Sequence, residues 1–457
     1  MFKKITGAVV ALLLVVLAAS CVNVNSKVKE PGMVKELYLP DDIYMVSDSV
    51  NQNDFTSDTS SYCFKRSVQS DNIALFWHKE YGNDPMLNPD TTKRFSPQRA
   101  LEECGRFYNY YVNELKMVQK GNSLSDKYKL LIFVFGGDEG TAFGGGSEDK
   151  VGILWTPAVR IHKEPFGALA HEMAHSFQYL SSADYGTGPR GPIMEMSAQY
   201  MLWQVYPEWM TFEKYHLDAF LTKTHFAFLH PQNMYHSPYV LEYWSEKHGK
   251  DFYGKLSRET QEGEDPVATY KRITGITQEQ FNDEIFDASR RFITWDLARV
   301  EEVAEPYKNM HKTQLVDEGK GWYSIDSVNC PQNYGYNGIQ LEVPEAGTQI
   351  ELDFRGMANA NGYTNVKVDK AGWRYGFVAY LKNGKRVYSE MYKDERGKVS
   401  FKVPEQTAFL WFVVSGAPKE HWPIVFNWGA PKTDDPKEEQ WAYKFHLKGA
   451  GVKKVTI

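Results

Sequence analysis

Phe166-Gly167-Ala168-Leu169-Ala170-His171-Glu172-Met173-Ala174-His175-Ser176-Phe177-Gln178-Tyr179-Leu180 is the stretch on which the reading of this chain turns. Phe166, Leu169, Met173, Phe177 and Leu180 recur at helical spacing and form one apolar stripe. His171 and His175 fall nearly opposite that stripe, one turn apart, so one face can pack on a core while the other presents two imidazoles to a cleft. Two such imidazoles can grip one Zn²⁺. Glu172 stands about 100° around the helix from His171, beside the metal rather than among its ligands, where it can handle the protons of a water. Gly167, Ala168, Ala170 and Ala174 keep the rest of the surface small. The plainer alternative is a pair of exposed histidines on an ordinary helix.

A third ligand would leave one tetrahedral position open for catalysis. Ser181 to Pro192 is a loop by composition, and a second helical run begins at Ile193, with Met194, Ala198, Met201, Leu202 and Val205 as its apolar positions. Glu195 lies in its first turn, with nineteen residues between it and His175. It is the first choice for the third ligand, although a carboxylate there also suits the helix dipole. Asp184 is the runner-up. The metzincin spacing needs Gly and His where this chain has Gln178 and Ser181, so that class is excluded.

At these residues the chain resembles the gluzincin metallopeptidases. The resemblance implies His171, His175 and Glu195 as zinc ligands and Glu172 as general base. It also implies a strand beside the active-site helix whose edge pairs with an extended substrate. Leu130 to Phe135, the Gly-rich Gly136 to Gly146, and Val151 to Trp155 supply strand-like material for this, the glycines reading equally as a flexible hairpin. More narrowly, Asn72-Ile73-Ala74-Leu75-Phe76-Trp77 with Tyr81-Gly82, the stretch HEMAHSFQY and the stretch WRYGFVAYLKNGKRVYSE look like an uncharacterised family of secreted bacterial and fungal proteins, domain of unknown function family 6055. HEMAHSFQ is similar also to the HExxHxxQ core of plant basic secretory proteins and of enhancin-like mucin-directed peptidases. Gln178 belongs to that shared pattern, either as a bond within the helix packing or as a contact to the site. Related folds use a Tyr or His downstream of the glutamate ligand to stabilise the oxyanion. Tyr235, His236 and Tyr239 are the candidates here.

The N-terminus bears on location. Met1-Phe2-Lys3-Lys4 is a basic start, Gly7 to Leu17 an apolar run too short to span a bilayer, and Leu17-Ala18-Ala19-Ser20-Cys21 resembles a bacterial lipobox. Cys21 is thus the expected lipidation site, anchoring the protein to a membrane of the bacterial cell envelope, on its periplasmic or cell-surface side; an ordinary secretory signal is the alternative. Cleavage before Cys21 removes Lys3 and Lys4 and no acid, taking the formal charge two units down from −6 to −8. An acidic chain without a basic block excludes nucleic acid as partner. Beyond Cys21 only Cys63, Cys104 and Cys330 remain, neither a disulfide framework nor a metal site.

The expected fold is an α+β zincin-like catalytic domain followed by an antiparallel β-sandwich domain. Its parts are a lipoprotein signal peptide (1–20), a tether and lead-in (21–66), the metallopeptidase domain (67–319) and the sandwich (320–457). Ser96 caps a helix predicted from Pro97 to Val118. In the sandwich, Asn383-Gly384 between two apolar runs signals a hairpin, and Ile350 to Phe354, Val399 to Val403 and Phe409 to Val414 read as strands. Trp373, Tyr375, Trp411, Trp422, Trp428 and Trp441 are aromatics that either fill its core or stack on sugars. The function expected is hydrolysis of peptide bonds in a protein, peptide or glycoprotein substrate, with Zn²⁺ as cofactor and Glu172 as base. The alternative is an envelope protein that binds glycan or glycoprotein and keeps a vestigial or structural metal.

Overall fold

The computed structural model describes residues 34–41, 43, 53–423, 426 and 438–454. Cys21 and Trp428 lie outside the described residues. The chain divides into two compact units, Met1–Val34 and Lys35–Ile457, and every strand and helix named below belongs to the second.

A five-stranded sheet opens the fold: β1 (Ser67–Gln69), β2 (Ile73–Trp77), β3 (Leu130–Phe135), β4 (Phe143–Ser147) and β5 (Val151–Pro157), in spatial order β1-β2-β3-β5-β4. β2, β3 and β5 pair in parallel, while β1 and β4 run antiparallel at the two edges. The three central strands are buried along their whole length, which is why they read as continuous apolar runs rather than alternating ones. Ile73, Leu75, Ile132, Val134 and Leu154 face the main core, shared with helices α1 (Pro97–Asn113), α2 (Gly167–Tyr185) and α3 (Ile193–Val205). Phe76, Leu131, Phe133 and Ile153 face the other way and are covered by Ile43, Phe55 and Tyr62 of the lead-in.

Ser96 caps α1 as its sequence predicts, its Oγ accepting from Arg99 N at 3.2 Å. The helix stops at Asn113, short of Val118, because Lys116 takes a left-handed φ of 49°. Leu115, Met117 and Val118 are still buried, but as turn residues. Further helices follow, among them α4 (Lys214–Leu221), α5 (Tyr239–His248) and α6 (Gln278–Phe292). No helix among the described residues is long and apolar enough to cross a membrane.

The rest of the chain is antiparallel. One sheet holds β8 (Tyr336–Leu341), β10 (Trp373–Leu381), β11 (Arg386–Tyr388) and β13 (Thr407–Gly416). The other holds β6 (Leu315–Gly319), β7 (Trp322–Ile325), β9 (Gln349–Gly356), β12 (Arg396–Lys402) and β14 (Tyr443–Lys448). Their inner faces meet in a core of their own, with Phe354 stacked on Tyr375 at 4.1 Å between ring centres and Phe412 against Phe445 at 5.1 Å. The Asn383-Gly384 turn joins β10 to β11. The outer face of the first of these sheets is also buried: Tyr336, Val378, Trp411 and Val413 belong to the main core, against α6. Burial assigns most of the sandwich aromatics to packing. Trp373, Tyr375, Trp411 and Trp441 are all core residues, so the sugar-stacking option falls for these four, and Trp422 is half-buried under Lys367. Cys63, Cys104 and Cys330 are free and buried.

Candidate metal centre

The apolar stripe of α2 does what its spacing requires. Leu169, Met173, Phe177 and Leu180 are buried, and Phe177 meets Tyr108 and Tyr111 of α1 edge-on. Tyr111 OH donates to Ala170 O at 2.9 Å, tying the helix down beside the motif. On the other side α2 is crossed by the edge strand β4. Two of the three β4 glycines are close-approach residues: a Cβ at Gly144 would stand 2.0 Å from the carbonyl oxygen of Glu172, and one at Gly146 2.1 Å from the ring of Tyr179, while Gly145 faces open space.

Glu195, in the first turn of α3, meets both histidines. His171 Nε2 and His175 Nε2 lie 3.1 Å apart, and Glu195 Oε2 is 3.1 Å from the first and 3.3 Å from the second. Atoms each about 2.0–2.1 Å from one tetrahedral zinc lie about 3.3 Å from one another, so this donor set fits a single ion. The tautomer fits as well. Gln178 Nε2 donates to Met194 O at 2.8 Å and to Ser197 Oγ at 2.9 Å, which orients the amide. Its Oε1 is then turned to His175 Nδ1 at 2.9 Å, and as an acceptor it assigns the proton to Nδ1 and leaves the Nε2 lone pair for a metal. Gln178 thus does both things its position allowed, clipping α2 to α3 and orienting the His175 imidazole in the cleft.

Glu172 is the other carboxylate here, its oxygen within 4.8 Å of the two imidazole donors. Burial raises its pKa, against the pull of His171 and His175. Burial acts on Glu195 in the same direction, but the His171 and His175 imidazoles beside it outweigh burial and hold that carboxyl well below the usual range. The two acids are pushed apart, one toward proton exchange and one toward permanent charge.

The four groups sit in an open cleft of about 1020 Å³. Tyr235 reaches it. Its ring stacks on His171 at 6.2 Å, and burial together with the neighbouring Glu195 carboxylate raises its phenol pKa. His236 and Tyr239 do not line the cleft. Tyr239 is fully buried among Trp203, Phe220 and Trp295, and His236 faces His216 at 2.8 Å between Nδ1 atoms. Asp184 is engaged elsewhere, accepting from Ser123 Oγ at 2.5 Å and Leu124 N at 2.9 Å to hold the start of a short helix.

Residues 32–454 match the Family of unknown function (DUF6055). The chain is a member of DUF6055. No curated protein matches it. Among solved structures it is similar to an M60 catalytic domain with its CBM51 domains from Clostridium perfringens, at 11% identity and a TM-score of 0.27, over 87% of this chain and 60% of that one. It is similar also to a CBM22 xylan-binding domain from Paenibacillus barcinonensis, at 13% identity and a TM-score of 0.18, over 32% of this chain and 83% of that one. The Yersinia pseudotuberculosis-derived mitogen aligns at 9% identity and a TM-score of 0.19, over 32% and 92%. Likenesses this faint carry no conclusion about DUF6055.

The cleft of this DUF6055 member holds groups that sequence reading did not single out. Gln199 stands one turn beyond Glu195 on α3, a placement that i+4 spacing could have given. Arg160, Glu213, Tyr215 and His216 also line it. They come from the segment before α2 and from the start of α4, and no local spacing ties them to the motif.

Proposed function

We propose that this DUF6055 chain is a zinc-dependent metallopeptidase of gluzincin type, hydrolysing peptide bonds of proteins or glycoproteins. The observation that carries the reading is the meeting of His171 Nε2, His175 Nε2 and Glu195 Oε2 within 3.3 Å of one another in an open cleft, with half-buried Glu172 beside them. Zinc bound there would supply a Lewis acid and a water of lowered pKa. Glu172 takes the proton of the attacking water and hands it to the leaving amine nitrogen; its raised pKa suits a group that must both accept and donate. Tyr235, beside Glu195, donates its O–H to the charge developing on the substrate carbonyl oxygen. Gln178 keeps His175 in the ligating tautomer.

The glycan-binding reading has less support. A structural metal needs no non-ligating carboxylate next to it, and four of the aromatics it would use are core residues. Zinc content and peptide cleavage, measured together on the full chain, separate the two. The peptidase reading expects bound zinc and hydrolysis that disappears in Glu172→Gln. Metal without hydrolysis, unaffected by that substitution, would favour a binding protein. For location, the lipid anchor on Cys21 and a cell-envelope site are part of the same proposal. Cys21→Ser should free the protein from the membrane fraction, and retention after a high-salt wash would sink the anchor.

A further inference from the structure

Between β5 and α2 the chain passes along one wall of the cleft and contributes Val159, Arg160 and Lys163 to it. Arg160 Nε donates to Gly140 O at 2.8 Å, which pins the guanidinium to the loop leading into β4. Among the described residues no partner takes its two terminal nitrogens, and neither Arg160 nor Lys163 is in an ion pair. The nearby acids are otherwise engaged: Glu164 by Arg99 at 2.6 Å, and Glu213 by Trp209 Nε1 at 2.7 Å. Exposed Val159 and Tyr215 flank the same wall with apolar surface. A guanidinium held at Nε presents its remaining N–H pair as a planar fork, the geometry that a carboxylate fits with two parallel bonds.

We propose that Arg160, with Lys163 also lining the cleft, is the subsite that selects a carboxylate on the substrate polypeptide. The proposal rests on the peptidase reading for what occupies the cleft. The carboxylate has two sources, an Asp or Glu side chain within the polypeptide or its free C-terminus, and these correspond to endo- and exo-cleavage. In either case the cation would sort substrates without touching the reacting atoms. A solvent-exposed pair of this kind gives up to about fivefold in affinity.

The test uses the full chain carrying Glu172→Gln, so that peptides are bound and not cut. Fluorescence anisotropy is read with three kinds of short labelled peptide: one with Glu at each position in turn and an amidated end, its Gln isostere, and the Gln isostere with a free C-terminus. Tighter binding of an acidic peptide by up to about fivefold, lost on adding Arg160→Gln and partly kept by Arg160→Lys, supports the subsite. Preference for the Glu peptide marks a side-chain carboxylate, and preference for the free acid marks a terminal one. Equal affinity for all three kinds, no measurable binding of any, or a preference that survives Arg160→Gln overturns it. Failure of the peptidase reading shows separately, as absence of hydrolysis by the zinc-loaded wild-type chain.

Discussion

Two histidine pairs lie close together at this cleft, and their difference is instructive. His171 and His175 have Glu195 beside them; His216 and His236 have Glu213 and Gln199. In composition the two clusters are nearly the same. In the first, Nε2 of both rings and a carboxylate oxygen converge, while Gln178 takes the outward Nδ1–H of His175. In the second, Gln199 Nε2 donates to His216 Nε2 at 2.9 Å, and His216 Nδ1–H donates in turn to His236 Nδ1 at 2.8 Å. Glu213 is taken up by Trp209. Lone pairs meet at one point in the first cluster and are used up head to tail in the second. The direction of the lone pairs, not the tally of His and Glu, suits one cluster to a metal ion and the other to a hydrogen-bonded strut.

The largest effect should separate the pairs outright. His171→Ala or His175→Ala should abolish bound zinc while the fold survives, since neither ring belongs to the apolar stripe, and His216→Ala should leave the zinc content as it was. Elemental analysis of the purified variants decides it. Zinc retained in both motif variants, or lost with His216, would put the metal elsewhere. Next comes Glu172→Gln, which keeps shape and removes the base: turnover should fall by about 10²–10⁴-fold with zinc still bound. Undiminished turnover would assign proton transfer to another group.

The first cluster was legible in the sequence because its parts obey local rules. Four-residue spacing on a helix aims His171 and His175 together, and a helix start carries Glu195. The second was not, since His216 and His236 come from separate elements that only the packing of Trp209 and Tyr239 brings into register. The same division runs through the fold. The strands at 350–354, 399–403 and 409–414 and the Asn383-Gly384 hairpin could be read from alternation and turn chemistry. Gly144 and Gly146 of β4 could not, because their reason is the helix lying across them. Tyr235, His236 and Tyr239 looked alike as candidates. They part only in three dimensions, where one faces His171 in the cleft, one a second histidine and one the core.

Gln178 offers a finer test of what makes the first pair different. Gln178→Leu removes the acceptor at His175 Nδ1 and frees the ring to flip or change tautomer. Zinc affinity, titrated against a competing chelator, should weaken by about 10–100-fold. Gln178→Glu keeps an acceptor and should lose less. An unchanged affinity in Gln178→Leu would mean that the surrounding packing alone orients the imidazole.

The smallest effect concerns the strut, and its sign follows from burial. Burial, with the charges of His236 and His171, pushes His216 down to about 3, and burial brings His236 to about 4. Both folded values lie below the value of about 6.5 for an unfolded histidine. Below pH 6.5 the unfolded chain therefore binds protons that the folded cluster refuses. The stability from keeping these rings neutral is fully present above that pH and is lost as pH falls toward the folded values. For buried His216 the loss between pH 7 and pH 5 is about 1–2 kcal/mol. The urea midpoint of the wild type should drop over this interval by more than that of His216→Gln, which has no proton to gain there. Titration of the zinc ligands lowers both midpoints alike and cancels in the difference. Parallel pH curves for the two proteins would mean that His216 is already charged in the fold, and the head-to-tail order of donors drawn for this cluster would have to be reversed.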